Sequence, residues 1–190
     1  MSGPRVILGV SGASGAALAL DCAQALRSAG ARIDLVLSPM AERTLELEIG
    51  PDAQAELCAL ADRTHPIRDL GATIASGSHP VAGMIVAPCS MRSLAAIAQG
   101  LDDNLLTRAA SVQLKERRPL ILIAREAPLT LAHLRNMTSV TEMGGIVLPP
   151  VPAFYLNPET VGEITRQIAA RAVDLLRLTA PQARAWTPGG

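Results

Sequence analysis

Short, uninterrupted apolar runs alternate along the chain with stretches in which apolar residues recur at helical spacing. The runs predict five strands, at residues 6–10, 33–37, 83–87, 120–124 and 146–148. The spacing predicts helices at about residues 18–29, 39–48, 53–62, 91–98, 104–115, 129–143 and 160–178. Residues 63–80 show neither pattern and are predicted to form a loop. Because strands without polar alternation are typical of a parallel sheet covered on both faces, the sequence predicts a single-domain α/β fold, Rossmann- or flavodoxin-like, with helices on both sides.

Small or polar residues follow four of the predicted strands. They are residues 11–15, Ser38, residues 88–93 and the pair Arg125-Glu126. Ligands of open parallel sheets bind beyond the carboxyl ends of the strands. We therefore expect these four segments to converge on one crevice.

The segment between the first strand and the first helix has a glycine at every third position, Gly9, Gly12 and Gly15. This spacing matches neither the dinucleotide pattern G-x-G-x-x-G nor a P-loop, which needs Gly-Lys-Ser/Thr. Backbone N–H groups and the helix dipole at such a turn favour an anion, to which Ser11 and Ser14 could donate hydroxyl groups. The residues thus predict a phosphate site, and a tight turn that only packs the helix on the strand is the alternative.

Cys22, Cys58 and Cys89 are odd in number and widely spaced, which disfavours both a disulfide framework and a zinc site. Cys89 has no histidine or second cysteine in register, so it is interpreted as a small buried hydrophobic residue. Two of the histidines, His65 and His79, fall in the predicted loop and share no metal-ligand spacing.

The composition leaves little charge to keep a monomer in solution. The 190 residues are 49% hydrophobic and 18% charged, with a formal net charge of zero, whereas an average globular domain has about 25% charged residues. We therefore expect a homo-oligomer. A net charge of zero also disfavours a general nucleic-acid-binding protein, which needs an excess of basic residues.

No membrane or export signal is visible in the sequence. Every apolar run is interrupted well before the ~18 residues of a membrane span, and no basic segment with a cleavage site precedes the first strand. The expected location is the cytoplasm. The predicted domain covers residues 1–178, and residues 179–190 are expected to form a tail that is disordered or bound to a partner.

Several short motifs occur in the order in which one protein family carries them. They are residues 11–15, Ser38, Glu48, and residues 76–78, 87–98, 103–105, 108–110, 114–118, 125–128, 136–137 and 149–155. Together they extend from about residue 6 to 178, and the chain resembles the UbiX-type flavin prenyltransferases. These belong to a wider group of flavin-dependent oligomeric decarboxylase-like flavoproteins.

The resemblance implies a transferase activity. The family joins a dimethylallyl group from dimethylallyl phosphate to N5 and C6 of reduced FMN, without a metal. The product, prenylated FMN, serves separate decarboxylases of aromatic and unsaturated acids, so ubiquinone synthesis and aromatic-acid metabolism are both possible contexts. The sequence does not decide whether the prenyl donor is the monophosphate or the diphosphate. The resemblance further implies a closed homo-oligomer, often a dodecamer, with sites at subunit junctions.

The resemblance also implies roles for individual residues. It assigns the binding of FMN to Gly12, Ala13, Ser14, Ser38, Ser90, Met91, Arg92, Ser93 and Arg125. It assigns the binding of the prenyl phosphate to Tyr155 and Arg171, and it places Arg108, Lys115 and Glu126 near that phosphate. Ser14 and Glu48 would lie beside the reacting atoms, so the implied catalytic set is Ser14, Glu48, Lys115 and Glu126. Trp186 is a further aromatic residue that could cover the flavin or the prenyl group.

Two other functions compete with this one. FMN-dependent decarboxylases of cysteinyl substrates depend on a histidine after an early helix, and residues 38–48 contain none. A non-catalytic FMN-binding accessory subunit would not need cations directed at a second phosphate. The presence of Arg108, Lys115 and Arg171 favours the enzyme.

Overall fold

The computed structural model describes residues 3–187, which form one α/β unit around a parallel sheet. The strands are β1 Arg5–Val10, β2 Arg32–Leu37, β3 Arg63–His65, β4 Gly83–Cys89, β5 Leu120–Ala124 and β6 Ile146–Val147. The helices are α1 Ala17–Ser28, α2 Pro39–Glu48, α3 Ala53–Leu60, α4 Met91–Gln99, α5 Leu105–Lys115, α6 Leu131–Glu142 and α7 Val161–Asp174. The strand order is β3-β2-β1-β4-β5-β6, and all pairs are parallel. The predicted α/β fold class is confirmed.

Alternate residues of β1, β2, β4 and β5 enter two separate hydrophobic cores, one on each face of the sheet. Along β1, Val6 and Leu8 pack with α1, α2, α3 and α7, whereas Ile7 packs with α4 and α5. Both faces are apolar because both are covered by helices, which explains why the strands lack polar alternation. Different helices therefore cover the two faces of the sheet: α1, α2, α3 and α7 cover one face, and α4 and α5 cover the other.

The edge strand β3 lies in the segment predicted to be loop. It has three residues, too few for a hydrophobic pattern, and it is held by parallel pairing to β2. His65 is 2% exposed, and its ring Nε2 lies 2.8 Å from Oδ1 of the buried Asp34. Nη1 of Arg5 donates to the other oxygen of Asp34, at 2.8 Å. The prediction of His65 as a loop residue is therefore wrong, and this histidine is part of a hydrogen-bonded network around the buried Asp34.

Cys89 ends β4 inside the core. It is fully buried, and burial raises the pKa of its thiol to about 12. The interpretation of Cys89 as a buried hydrophobic residue is confirmed.

Residues 182–184 pack on α7. The N–H of Gln182 donates to the carboxylate of Asp174 at 2.7 Å, and the N–H of Arg184 donates to the Gln167 side chain at 3.0 Å. These residues of the predicted tail are therefore held by their own chain, and binding of the tail to a partner stays a prediction. Among the helices of residues 3–187, none is long and apolar enough to cross a membrane.

Candidate active site

A crevice with a volume of about 490 Å³ opens at the carboxyl ends of β1, β2, β3 and β4. Its lining is Ser11, Gly12, Ser38, Pro39, Met40, Ile67, Arg68, Ser90, Arg92, Ser93, Asp103, Asn104 and Leu106. The predicted positions Gly12, Ser38, Ser90, Arg92 and Ser93 are thus brought together. Three of the four segments expected to converge line this crevice.

Two helices begin at the crevice and direct their amino ends toward it. Ser38 caps α2 by accepting the N–H of Ala41 at 3.2 Å, and Ser90 caps α4 by accepting the N–H of Ser93 at 3.2 Å. The N–H groups of the first turn of a helix have no intrahelical acceptor. At α4 these belong to Met91 and Arg92, so the start of α4 offers donors and a positive dipole end to an anion.

Met91 can serve this site through its backbone. Its side chain packs against the buried cluster between the sheet, α4 and α5. Met91 therefore stays a predicted FMN-binding residue through its backbone N–H, since its side chain does not line the crevice.

The hydroxyl of Ser11 links two strand ends. It donates to the carbonyl of Pro88 at 3.0 Å and accepts the N–H of Ser90 at 2.7 Å. Because these bonds use the hydroxyl in both directions, the prediction that Ser11 donates to a phosphate is corrected. Its role is to fix the turn after β1 against the turn after β4.

A carboxylate already occupies the amino end of α1. Oε2 of Glu48 accepts the N–H groups of Gly15 and Ala16, both at 2.8 Å. No side-chain cap is present at Ala16 itself, so the last residue of α2 supplies the missing acceptor. The phosphate predicted at residues 9–15 would have to displace Glu48 from these two N–H groups, so the structure favours another position for it.

Glu48 is held in its ionised form. Partial burial opposes ionisation, but the N–H of Ala16, the hydroxyl of Ser14 and the N–H of Gly15 outweigh it, with help from the positive charge of Arg125. The net effect keeps the pKa of Glu48 below its ordinary value. Ser14, Glu48 and Arg125 therefore form one charged group at the rim of the sheet.

The glycines of this turn have structural roles. A Cβ on Gly12 would lie 2.2 Å from the Cβ of Met40, so the glycine permits the first turn of α2 to approach the loop. Gly15 has a φ of +110°, a conformation that L side chains rarely adopt. The alternative interpretation of a tight packing turn thus accounts for both positions.

Arg125 and Glu126 follow β5 beside the crevice. The N–H of Arg125 donates to the carbonyl of Cys89 at 3.1 Å, which ties this segment to the end of β4. Both side chains are exposed. A carboxylate oxygen of Glu126 accepts the N–H of Ala127 at 3.0 Å. The fourth predicted segment therefore lies next to the other three, and its arginine acts on Glu48 through charge.

Arg108 and Lys115 lie on α5, away from Glu48. Arg108 pairs with Asp102 at 3.0 Å, and Lys115, the last residue of α5, pairs with Glu116. α5 begins at the crevice, and a helix advances about 1.5 Å per residue. Lys115 is therefore about 15 Å along α5 from Leu105, near the amino end of β5.

Tyr155 and Arg171 belong to other parts of the surface. Tyr155 lies in a 3-10 turn, Phe154–Leu156, and is half exposed. Arg171 is exposed on α7, which packs on α1, whereas α5 covers the opposite face of the sheet. One chain therefore does not bring Arg108, Lys115 and Arg171 to one phosphate.

Sequence reasoning assigned no site role to seven residues that line the crevice, although residues 103–105 were among the motifs of the resemblance. The seven are Pro39, Met40, Ile67, Arg68, Asp103, Asn104 and Leu106. Asn104 could have been found, because its side chain accepts the N–H of Thr107 as an N-cap, at 3.1 Å. Met40 and Arg68 carried no local signal. Arg68 in particular lies in the segment without a pattern, where the short strand β3 brings it to the edge of the site.

A model of the Flavoprotein family matches residues 1–173. The flavin prenyltransferase UbiX of Neisseria meningitidis serogroup B is 50% identical over 182 residues, which are 96% of this chain and 96% of that protein. The chain belongs to the UbiX-type flavin prenyltransferase family. The resemblance inferred from short motifs is thereby confirmed.

Solved structures extend this likeness to the whole fold. A crystal structure of AnUbiX (PadA1) with FMN and dimethylallyl pyrophosphate has a TM-score of 0.95 and 41% identity, covering 99% of this chain and all of that one. A dodecameric FMN-dependent UbiX-like decarboxylase from Escherichia coli O157:H7 has a TM-score of 0.91 and 46% identity, covering 97% of this chain and all of that one. Both UbiX-type structures therefore match nearly the full length of this chain.

Proposed function

We propose that this chain is a flavin prenyltransferase that joins the dimethylallyl group of dimethylallyl phosphate to N5 and C6 of reduced FMN. One observation carries the proposal: five of the nine residues that the resemblance assigns to FMN line one crevice, in a chain 50% identical to a flavin prenyltransferase along 96% of its length. The proposed product is prenylated FMN for a partner decarboxylase.

The crevice fits FMN, the acceptor substrate. Its volume of about 490 Å³ lies in the ordinary range for small-molecule sites. Serine hydroxyls of Ser38, Ser90 and Ser93 border it, and the first turn of α4 offers N–H groups to a phosphate. The proposed FMN phosphate therefore lies at the start of α4, and Gly12 to Ser14 border the ring system.

The charged group at the rim supplies acid–base chemistry. Reduced FMN supplies the two nucleophilic atoms. N5 takes the allyl carbon as its bond to the phosphate oxygen breaks, and N5 loses its proton. C6 then bonds to the other end of the allyl double bond, which gains one proton, and a proton must leave C6. Glu48 is ionised at neutral pH, since its ordinary pKa is 4.5 and the folded protein lowers it, so its carboxylate is available to accept this proton. The released phosphate is the alternative base.

The prenyl donor needs cations at its phosphate. Cleavage of the carbon–oxygen bond places negative charge on the departing phosphate, which lysine and arginine donors stabilise. We assign this task to Arg108, Lys115 and Arg171, with Tyr155 and Glu126 at the same subsite. Dimethylallyl phosphate is the proposed donor, and the diphosphate bound in AnUbiX is the second donor to test.

These cations require more than one copy of the chain. Arg171 and the pair Arg108 and Lys115 lie on opposite faces of one sheet, so neighbouring copies must combine them. This supports a homo-oligomer with sites at subunit junctions, and the dodecamer of the Escherichia coli relative is the proposed size. We further propose a cytoplasmic location and no metal requirement.

A variant lacking two donor-directed cations separates this enzyme from an accessory FMN-binding subunit. In Lys115→Ala with Arg171→Ala, we expect FMN to bind as in the native protein while prenylated FMN is no longer formed. Arg43→Ala, which removes an exposed arginine paired with Glu46 on α2, is the control for charge loss. Equal product formation by native and doubly substituted protein would contradict the assigned roles.

A further inference from the structure

Arg68 is brought to the flavin crevice by the edge of the sheet. The carbonyl of Ile67 accepts the N–H of Leu105 at 2.8 Å, which joins the segment after β3 to the first residue of α5. Arg68 follows immediately and lines the crevice, as does Asn104 on the other side of this bond. The backbone bond therefore fixes where the arginine enters the site.

Arg68 gives the crevice its uncompensated positive charge. The charged side chains of the lining are Arg68, Arg92 and Asp103. Arg92 donates to Asp103, so these two compensate each other. Across the described part of the chain, the guanidinium of Arg68 has no hydrogen bond or ion pair. It is exposed and retains its donors for a ligand.

The other donors of the crevice point to the same ligand group. The cap residues Ser38 and Ser90 mark the amino ends of α2 and α4 at this crevice. Both dipole ends favour a negative charge between them. The amino end of α1 is unavailable because Glu48 already occupies it. A phosphate of FMN at α4 would thus lie within the lining that contains Arg68.

We infer that Arg68 binds the phosphate of FMN and thereby selects FMN over riboflavin, which has the same ring system without the phosphate. This inference rests on the proposed binding of FMN in the crevice. A guanidinium can give a phosphate two parallel N–H bonds, which an ammonium cannot match. Arg68 belongs to the acceptor site and not to the donor-directed set on α5 and α7.

Direct flavin binding tests this assignment. The native oligomer is freed of flavin and titrated with FMN and with riboflavin, using quenching of flavin fluorescence as the signal. For Arg68→Ala we expect the dissociation constant of FMN to rise about 10-fold to 100-fold, as for a lost charge-assisted hydrogen bond. The dissociation constant of riboflavin should stay within about two-fold, because riboflavin has no phosphate. Arg68→Lys, which keeps the charge and loses the planar fork, should lie between native protein and Arg68→Ala.

Arg43→Ala is the matched control, since Arg43 is also exposed but lies on α2 outside the crevice lining. It should change neither dissociation constant. Equal weakening of FMN and riboflavin by Arg68→Ala would overturn the inference, as would an unchanged FMN affinity. An unchanged FMN affinity with a raised KM for dimethylallyl phosphate would overturn it too, by moving Arg68 to the donor site.

The outcome is independent of prenyl transfer itself. The proposed function fails and the inference holds if native protein prefers FMN to riboflavin but forms no prenylated FMN, and Arg68→Ala has lost that preference. If native protein forms prenylated FMN and Arg68→Ala binds FMN unchanged, the inference fails and the proposed function holds.

Discussion

Glu48, the last residue of α2, accepts the backbone N–H of Ala16 at 2.8 Å and so caps α1 from a different helix. The same carboxylate is the proposed base for the proton that leaves the flavin. Both the helix cap and the proposed proton transfer therefore require the carboxylate of Glu48 to be ionised.

Loss of this carboxylate should destabilise the protein in a pH-dependent way. Glu48→Gln is expected to lower the free energy of unfolding by about 1 kcal/mol at neutral pH, as for a lost helix cap. The folded state holds the pKa of Glu48 below the ordinary value of 4.5. Its stabilisation is therefore present above that value and is lost as the pH falls through the lower folded pKa. Denaturant unfolding at neutral and acid pH should show native protein and Glu48→Gln converging in acid.

Glu46→Gln is the control, because Glu46 is exposed and pairs only with Arg43 one turn away. It should stay within about 0.5 kcal/mol of native protein. A constant difference between native protein and Glu48→Gln at every pH would show that the cap does not depend on ionisation of the carboxylate.

The buried network of Arg5, Asp34 and His65 should contribute more to stability than any surface pair. Asp34 is 1% exposed, and Asp34→Asn removes the charge that both partners face. We expect the free energy of unfolding to fall by about 3 kcal/mol, since a buried partner is left uncompensated. Denaturant unfolding at fixed protein concentration measures this. Asp52→Asn, at an exposed position, should change it by less than about 0.5 kcal/mol; equal effects of the two variants would contradict the network's role.

This network shows why the sequence predicted the main sheet but not its edge. Strands such as β1 and β4 can be predicted from their apolar runs, because strands covered on both sides need apolar residues on both faces. β3 is three residues long and is held by pairing and by the contact of His65 with Asp34, 31 residues away. Such a contact has no local pattern.

The candidate site was predictable to a similar extent. Strand ends and motif order located Gly12, Ser38 and Ser90, because these positions follow directly from the order of the elements. The sequence did not reveal that Glu48 occupies the anion position of α1, nor that Arg68 reaches the crevice. Both depend on how α2 and the segment after β3 cross the end of the sheet.

Gly12 should not tolerate a side chain. In Gly12→Ala, the new Cβ would meet the Cβ of Met40 at 2.2 Å, so α2 must move away from the loop. We expect a loss of about 1–3 kcal/mol in unfolding free energy and weaker FMN binding, measured by denaturant unfolding and flavin titration. Gly71→Ala is the matched control, because a Cβ there has Asp69 as its nearest neighbour at 3.5 Å. If both alanine variants behave alike, close packing at Gly12 is not what requires the glycine.

Hybrid oligomers should show whether neighbouring copies share one site. Lys115→Ala and Arg171→Ala are each expected to lose prenyl transfer. If the two residues of a site come from different copies, oligomers formed from an equal mixture should regain about one quarter of the native sites. The assay is the rate of prenylated FMN formation by co-expressed, differently tagged chains. Recovery of no activity, with mixed oligomers present, would place both residues in the same copy.

The central claim is the transfer reaction, and mass spectrometry of the released flavin tests it most directly. The protein is incubated without oxygen with reduced FMN and dimethylallyl phosphate, and then with the diphosphate in a parallel sample. The account predicts a flavin heavier than FMN by one C5H8 unit, formed by native protein and not by Lys115→Ala with Arg171→Ala. Unchanged FMN with both donors, from protein shown separately to bind FMN, would contradict it.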